Sequence, residues 1–458
     1  MKKSCLNSTM VLFLLINHFA ICQCFKQISA GGGHSLAIKT DGTLWACGWN
    51  SDGQLGDGTF IPKLILTPIG NDTNWDKIDS GHGHNLALKT DGTLWSWGFN
   101  GFGQLGDGTT IGKNIPTQIG TDNNWKEIST GTYSSIALKT DGTLWSWGFN
   151  GFGQLGDGTT VNKHIPTQIG TDTNWNKICA GGIYTLALKI DGTLWSWGNN
   201  TNGQLGDGTT ISKFIPTQIG IETNWKEIFT GGAHSLAIKN NGTLWTWGYN
   251  SNGQLGDGTT INKIIPIQIG TDTDWSILST GSIHTVGLKT DNTLWAFGGN
   301  NHGQLGDGTI VDKHIPTQIG TDTNWNKINA YEWHTLSFKT DGSLWTWGSN
   351  SSGQLGDGTY IDKYTPSAIA CPTSLANETI VTRNNFKIYP NPFNTYIIIE
   401  PNEDIIETII TDCNGRVIKK CKQSNTSITI NLENLQAGIY FLKIVTETGS
   451  TIKKIIKE

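Results

Sequence analysis

Leu94-Trp-Ser-Trp-Gly-Phe-Asn-Gly-Phe-Gly-Gln-Leu-Gly-Asp-Gly-Thr109 is the stretch from which the fold can be read. It returns with small changes every 50 residues, seven times, without insertion or deletion. A period of this length is typical of architectures in which each copy buries its apolar face against its neighbours. The Gln-Leu-Gly-Asp-Gly segment begins at Gln54, Gln104, Gln154, Gln204, Gln254, Gln304 and Gln354.

One repeat contains four short strand patterns and no helical periodicity. In the third copy the strands are expected near residues 125–128, 135–139, 143–147 and 166–169. Asp141 and Gly142 separate the second and third strands, and an Asp-Gly pair there predicts a type I′ hairpin turn with positive φ at both residues. About four strands per repeat predicts a propeller blade, and seven blades predict a closed ring.

The ends of the repeat region suggest how this ring closes. The first copy starts at Phe25 without a preceding Pro-x-x-Ile segment, whereas the last copy supplies a surplus one at residues 366–369. We therefore expect the surplus strand to complete the first blade.

The repeat Gly-x-x-His-Ser/Thr-Leu-Ala-Leu-Lys-x-Asp-Gly-x-Leu-Trp-x-Trp-Gly-x-Asn-x-x-Gly-Gln-Leu-Gly-Asp-Gly resembles that of the regulator of chromosome condensation family. The resemblance covers about residues 25–369 and implies a seven-bladed β-propeller. It departs at Ser134 and Tyr184, which replace the usual His, and at Cys47 and Phe297, which replace the second Trp. We interpret these departures as packing substitutions.

The chain opens with Met1-Lys-Lys-Ser, followed by an apolar run over residues 10–20. This layout predicts a secretory signal peptide over residues 1–22, with cleavage before Gln23. Lipidation at Cys22 is the alternative. The propeller is then expected over residues 23–370, followed by a polar linker over residues 371–385.

The tail, residues 386–458, contains about seven short strand patterns, which predict a small Ig-like β-sandwich. It resembles the C-terminal sorting domain of the type IX (Por) secretion system. The resemblance implies that the type IX machinery exports the protein to the outer surface or the medium. An ordinary sandwich domain that stays attached and binds a ligand is the alternative. The matching segments are Tyr389-Pro-Asn-Pro392, Gly415-Arg416, Gly438-Ile-Tyr440 and Lys453-Lys-Ile-Ile-Lys457.

Composition argues against two classes of site. A net charge of −5 and a pI near 6.1 give no basic footprint for nucleic acid. The cysteines show no Cys-x-x-Cys spacing and do not recur with the repeat, so neither a zinc site nor a disulfide framework is expected.

Two recurring polar residues are candidates for chemistry. A His stands in five of the seven copies in similar surroundings, whereas a catalytic His needs a partner at one place, so we expect these residues to pack. The Asp of Gly-Asp-Gly lacks the alternating carboxylates of a calcium loop and is expected to hold a turn. No catalytic residue, metal ligand or cofactor is predicted. The five are His34, His84, His234, His284 and His334.

Positions at which the copies disagree are the candidate ligand contacts, because the scaffold does not dictate them. Those in the turn after Trp-x-Trp are expected on one rim, where four Phe would form an aromatic patch suited to a protein or a sugar. A recent duplication is the alternative origin of these Phe, because residues 88–110 and 138–160 are identical. The candidates are Trp49, Phe99, Phe102, Phe149, Phe152, Tyr249 and His302.

A second variable line lies in the long loop before Pro, and the sequence leaves its face undecided. Its members are Leu64, Asn114, His164, Phe214, Ile264, His314 and Tyr364.

The sequence therefore predicts a monomeric secreted or cell-surface binding protein that presents variable loops to a protein or glycan. Inhibition of a secreted enzyme is one variant of this function. A polysaccharide-acting enzyme and a structural surface-layer component are the alternatives. The nucleotide-exchange activity of the eukaryotic namesake is not expected in an exported protein.

Overall fold

The computed structural model describes residues 24–371, 386–400, 404–412, 416–424, 427–446 and 449–458. Its contacts separate a unit over Gln23–Ala376 from a C-terminal unit over Asn377–Glu458. The predicted signal peptide and nearly all of the predicted linker lie outside the described residues, so the domain boundaries stay predictions. The described residues contain no helix with the length and apolar character needed to span a membrane.

Seven four-stranded antiparallel sheets follow one another along the chain, and each is built from four consecutive strands, which confirms the predicted propeller. The first four blades comprise β1 (Phe25–Ala30), β2 (His34–Lys39), β3 (Leu44–Gly48), β4 (Lys63–Ile69); β5 (Trp75–Ser80), β6 (His84–Lys89), β7 (Leu94–Gly98), β8 (Lys113–Gln118); β9 (Trp125–Thr130), β10 (Ser134–Lys139), β11 (Leu144–Gly148), β12 (Lys163–Gln168); β13 (Trp175–Ala180), β14 (Tyr184–Lys189), β15 (Leu194–Gly198) and β16 (Lys213–Ile219). The last three comprise β17 (Trp225–Thr230), β18 (His234–Lys239), β19 (Leu244–Gly248), β20 (Lys263–Ile269); β21 (Trp275–Thr280), β22 (His284–Lys289), β23 (Leu294–Gly298), β24 (Lys313–Gln318); β25 (Trp325–Tyr331), β26 (His334–Lys339), β27 (Leu344–Gly348) and β28 (Lys363–Ile369).

The apolar cores lie between neighbouring blades. Leu36 and Leu44 of the first blade pack with Trp75 and Trp97 of the second, and all four side chains are buried. Similar layers recur around the ring because the repeat places similar residues at the same register. Burial of apolar area is the main favourable term in folding, so each blade depends on both neighbours.

The loop between the second and third strands differs from the predicted turn. In the third blade, Gly142 N donates to Lys139 O over 3.0 Å, and Gly142 has a φ of 81°. The positive-φ residues of the described chain do not include Asp141, which instead accepts hydrogen bonds from Thr143 N and Oγ1. The hairpin is therefore a type I turn followed by a left-handed glycine, and the type I′ prediction is wrong.

Ring closure also differs from the prediction. The last propeller strand, β28, pairs with β27 of its own blade through Leu344↔Ile369 and Thr346↔Ser367. The expectation that it completes the first blade is therefore wrong. The first blade already has its own first strand from Phe25 and its own fourth strand, so it has no vacancy to fill.

The seventh and first blades instead meet as other neighbouring blades do. The Phe25 and Phe338 rings stack with centroids 6.3 Å apart. Ser35 Oγ donates to Gln354 O over 2.7 Å, which repeats at the ring junction a bond found between other neighbouring blades. Side-by-side packing is therefore continuous around the ring.

A disulfide joins Cys24 to Cys371, with their Cα atoms 5.9 Å apart and a sequence separation of 347. The described cysteines thus form one disulfide, which the sequence did not indicate, and no framework of several. Sequence spacing did not indicate this pair because only closure of the ring brings its two ends together. Among the described residues, Cys47, Cys179 and Cys421 are free thiols.

The C-terminal unit contains two antiparallel sheets, in agreement with the predicted β-sandwich. Ile397 and Ile430 of the smaller sheet share one buried cluster with Ile410, Leu442 and Ile455 of the larger. Its strands are β29 (Lys387–Tyr389), β30 (Tyr396–Glu400), β31 (Ile405–Thr411), β32 (Val417–Ser424), β33 (Ile428–Asn431), β34 (Gly438–Thr446) and β35 (Gly449–Lys457). The smaller sheet has the order β29-β30-β33, and the larger has the order β32-β31-β34-β35.

Candidate functional site

The five recurring His side chains are fully buried between blades. His84 Nε2 lies 3.1 Å from Ser135 Oγ of the next blade, and that hydroxyl donates to Gln104 O. The hydroxyl hydrogen is thus already used, so His84 Nε2 is the donor. Burial lowers the pKa of His34 to about 4 and that of the other four to about 3, which keeps the rings neutral. This environment agrees with the expected packing role.

The Asp of each Gly-Asp-Gly segment holds a loop, as expected. Asp107 accepts hydrogen bonds from Thr109 N, Thr109 Oγ1 and Asn100 Nδ2, and Lys113 Nζ lies 3.2 Å from its second oxygen. Every blade repeats this ion pair. Within the described ranges, no group of His, Cys, Asp and Glu side chains is arranged to hold a metal ion.

One end of the strands carries nearly the same residues in each blade. In the third blade, Lys139 Nζ lies 4.8 Å from the centroid of Trp125, 4.0 Å from that of Trp145 and 2.6 Å from Asp122 Oδ2. Most other blades repeat this cation–π sandwich. This end is therefore a structural feature and offers little variation for recognition.

The opposite end of the strands forms what we call the variable rim. It includes the turn after each third strand, which contains the predicted ligand contacts, and the hairpin between each first and second strand. Sequence reasoning missed that hairpin, although its two residues vary within Gly-x-x-His. The hairpin residues are Gly32, Gly33, His82, Gly83, Thr132, Tyr133, Gly182, Ile183, Gly232, Ala233, Ser282, Ile283, Glu332 and Trp333.

The structure brings five of the seven predicted contacts into one chain of rings, which we call the aromatic arc. Two residues that sequence reasoning missed, His82 and Tyr133, complete it. Centroid distances are 6.1 Å for Trp49–His82, 5.8 Å for His82–Tyr133, 6.0 Å for Phe99–Tyr133, 5.2 Å for Tyr133–Phe102, 5.0 Å for Phe102–Phe149 and 6.2 Å for Phe149–Phe152. The arc spans the first three blades.

Glycines let the Phe rings of the arc lie across their turns. A Cβ at Gly101 would lie 2.6 Å from Phe99 Cζ, and a Cβ at Gly151 would lie 2.6 Å from Phe149 Cζ. Phe152 is 39% exposed, and the other arc rings are half-buried. The arc is thus an ordered apolar surface that remains accessible at its outer side.

The remaining two predicted contacts lie elsewhere on the rim. His302 Nδ1 lies 3.0 Å from Asp362 Oδ2, and its ring lies 5.5 Å from that of Trp333. Tyr249 N donates to Ala233 O over 2.9 Å, and no arc ring is in contact with Tyr249 in the described chain. The prediction therefore mixed one coherent cluster with two separate positions.

One hydrogen bond on the variable rim joins two blades that are not neighbours. Glu332 of the seventh blade accepts a 2.5 Å hydrogen bond from His82 Nδ1 of the second, past the first blade, and we call these two residues the cross-ring pair. The hydrogen bond that His82 donates to Glu332 raises the pKa of His82, with a smaller contribution from the charge of Asp52, while partial burial opposes the shift. Beside Glu332, Tyr331 replaces a Gly of the other blades.

The second variable line belongs to the same rim, which answers the question that the sequence left open. His164 packs against Gly103 of the preceding blade, where a Cβ would lie 2.4 Å from His164 Cδ2. Gly108 N also donates to His164 O over 2.8 Å. These residues therefore extend the variable rim outward.

Comparisons with known proteins identify both parts of the chain. The RCC1-like domain family model matches residues 14–224 and 163–384, and the secretion system C-terminal sorting domain model matches residues 387–458. A segment of 53 residues is 43% identical to the secretion-regulating guanine nucleotide exchange factor of Bos taurus, and covers 12% of this chain and 11% of that protein. The match to the Mus musculus protein of that name is 44% identical over 43 residues and covers 9% of each. The chain thus spans about a tenth of these relatives.

Solved structures support the propeller. Prp20p of Saccharomyces cerevisiae superimposes with a TM-score of 0.66 at 21% identity, covering 77% of this chain and 90% of that one. Human WBSCR16 superimposes with a TM-score of 0.63 at 23% identity, covering 69% and 86%. At these identities the likeness concerns the fold alone.

Proposed function

Because the chain belongs to the RCC1-like domain family and carries a secretion system C-terminal sorting domain, we propose that it is an exported binding protein whose aromatic arc contacts a macromolecule. The sorting domain indicates export to the cell surface or the extracellular space. The arc is the observation that carries the binding proposal. Protein and glycan are the two classes of partner that a surface of this kind can take.

The arc is a departure from the repeat. Equivalent positions hold Asn199 and Asn202 in the fourth blade and Ser349 and Ser352 in the seventh, on the same loop framework. The turn therefore forms without aromatic residues. A row of accessible aromatic side chains on one side of the propeller is not needed for folding. Contiguous apolar surface of this kind is typical of interaction sites.

The exchange activity named for the bovine relative belongs to that protein, because the match reaches only 11% of its length. A binding role needs only the rigid ring and its asymmetric rim, both of which are present. The expectation of a monomer remains a prediction.

The test is to replace Phe102 and Phe149 with Ala in the full chain. These rings lie 5.0 Å apart at the centre of the arc, so their loss should weaken binding to a glycan panel or to surface proteins of the producing cells by about tenfold or more. The measurement is retention of the purified protein on each immobilised panel. Phe60→Ala is the matched control, since this Phe is 59% exposed outside the arc and four other blades have Thr at the equivalent position. Equal losses in both variants would contradict the proposal.

A further inference from the structure

We propose, on the basis of the binding function above, that the partner is a protein segment that carries Lys or Arg beside apolar side chains. The apolar residues would lie on the Phe part of the arc, and the basic side chain would lie near Trp49 and the cross-ring pair.

Apart from His82 and His302, each of which is paired with a carboxylate, the inner part of the variable rim has acidic residues and no basic ones. Neither Lys nor Arg occurs in any blade at the two hairpin positions, at the three variable turn positions or at the position equivalent to Asp362. The lysines that follow that position, such as Lys63, are each bound to the Asp of a Gly-Asp-Gly loop, at 3.3 Å in the first blade. The acidic residues at these positions are Asp52, Asp312, Glu332 and Asp362.

Aromatic rings adjoin three of these carboxylates. Glu332 binds His82, whose ring lies 6.1 Å from that of Trp49. Asp52 follows Trp49 in the same turn and contributes to the raised pKa of His82. Asp362 binds His302, which contacts Trp333. An aromatic face beside a carboxylate suits an ammonium or guanidinium group, because both attract the cation.

Apart from the hydroxyls of Thr132 and Tyr133, the Phe part of the arc presents few groups that could hydrogen-bond a sugar. In five blades the exposed residue directly after the Asn of this turn carries a hydroxyl or an amide. The two Phe blades have Gly101 and Gly151 there. A glycan would leave hydroxyls without protein partners on this surface, while apolar side chains would not. A protein segment therefore fits this surface better. The five polar residues are Ser51, Thr201, Ser251, Asn301 and Ser351.

The test is to select binders of the full chain from a random peptide display library, which does not presuppose the charge of the partner. We expect enrichment of Lys and Arg next to Leu, Phe or Trp. The affinity of selected peptides should fall about tenfold for the double variant Asp52→Asn/Asp362→Asn and should also fall with added salt.

Both substitutions are tolerated elsewhere in the ring. Asn202 N binds Gln204 Oε1 as Asp52 N binds Gln54 Oε1. Asn162 Oδ1 accepts from the backbone as Asp362 Oδ1 does. The charge control is Asp141→Asn at the opposite end of the strands, where Asn241 already forms the same hydrogen bonds.

The outcomes separate this inference from the proposed function. Selected peptides without basic enrichment, or peptides that bind the double variant and the Asp141→Asn control equally well, would overturn the inference. Binding to a panel of neutral oligosaccharides that depends on Phe102 and Phe149 would overturn it while leaving the proposed function intact. If the Phe variant binds all probes as the unmodified chain does, both proposals fail.

Discussion

At the residue scale, the recurring His shows how a side chain that often serves in catalysis can instead serve ring assembly. Each His crosses a blade junction, and the Ser, Thr or Asn that it meets also binds the backbone carbonyl of a Gln, as Asn85 binds Gln54 O. Tyr184 replaces one His and extends its hydroxyl to His234 O of the next blade. The junction therefore requires a polar contact of suitable length more than an imidazole.

These buried His predict that the folded propeller loses stability in acid. The five buried His have folded pKa values of about 3 to 4 against 6.5 when unperturbed, so the unfolded chain binds more protons between these values. Their contribution to stability is present above pH 6.5 and is lost as the pH falls toward their folded pKa values, by about 1.4 kcal/mol per pH unit and His. Urea unfolding of the chain at a series of pH values should show this slope.

The variant for this prediction is His284→Ser, since Ser134 already occupies the equivalent position in the third blade. The stability of this variant at neutral pH should fall. The slope of its unfolding free energy against pH should also be smaller, because about one proton fewer is taken up on unfolding. A slope equal to that of the unmodified chain would mean that this His is not kept neutral by burial.

At the element scale, the hairpin between β25 and β26 departs most from its counterparts. It carries Tyr331, Glu332 and Trp333, whereas the first blade has three glycines there, and Glu332 adopts a φ of 39°. A positive φ is uncommon for a residue other than Gly, so the contacts of the hairpin must hold it in this conformation. Its hydrogen bond to His82 of the second blade links two blades that are not neighbours in the ring.

We expect the cross-ring pair to stabilise the ring most at low and neutral pH. The pKa of His82 is raised in the folded chain, so its contribution is fully present below the unfolded value and is lost as the pH rises through the folded value. Since His82 is about a third exposed, the effect should be about 1 kcal/mol or less. The measurement is the difference in unfolding free energy between the unmodified chain and Glu332→Gln from pH 5.5 to pH 9. A difference that grows with pH would contradict it.

The repeat made the strands predictable, but it did not predict the contacts between blades. Alternation in residues 135–139 placed β10 correctly, because that pattern is local. The arc was predicted in part, since Phe99 and Phe102 vary between copies, but His82 was missed because the sequence does not reveal that it faces Glu332. The turn at Asp141, where φ is not positive, shows that a dipeptide can indicate a hairpin without specifying its type.

At the scale of the whole molecule, the ring is closed without exchange of strands between its ends. In many repeat proteins the terminal copies have only one neighbour, but here β1 contacts both β5 and β25. The Cys24–Cys371 disulfide covalently joins the two ends of this ring. Disulfides persist in oxidising compartments, which agrees with the export indicated by the sorting domain.

We therefore expect the disulfide to contribute strongly to stability. It closes a loop of 347 residues, and a cross-link over a loop of this length should contribute about 2–5 kcal/mol by restricting the unfolded chain. Replacing Cys24 and Cys371 with Ser should lower the Tm of the propeller by about 3–7 °C in calorimetry, and reductant should cause a similar shift in the unmodified chain. Cys179→Ser is the matched control, because Ser129 and Ser279 occupy the equivalent position and Cys179 is a free thiol. If the Tm of the disulfide variant equals that of this control, packing between the seventh and first blades alone closes the ring.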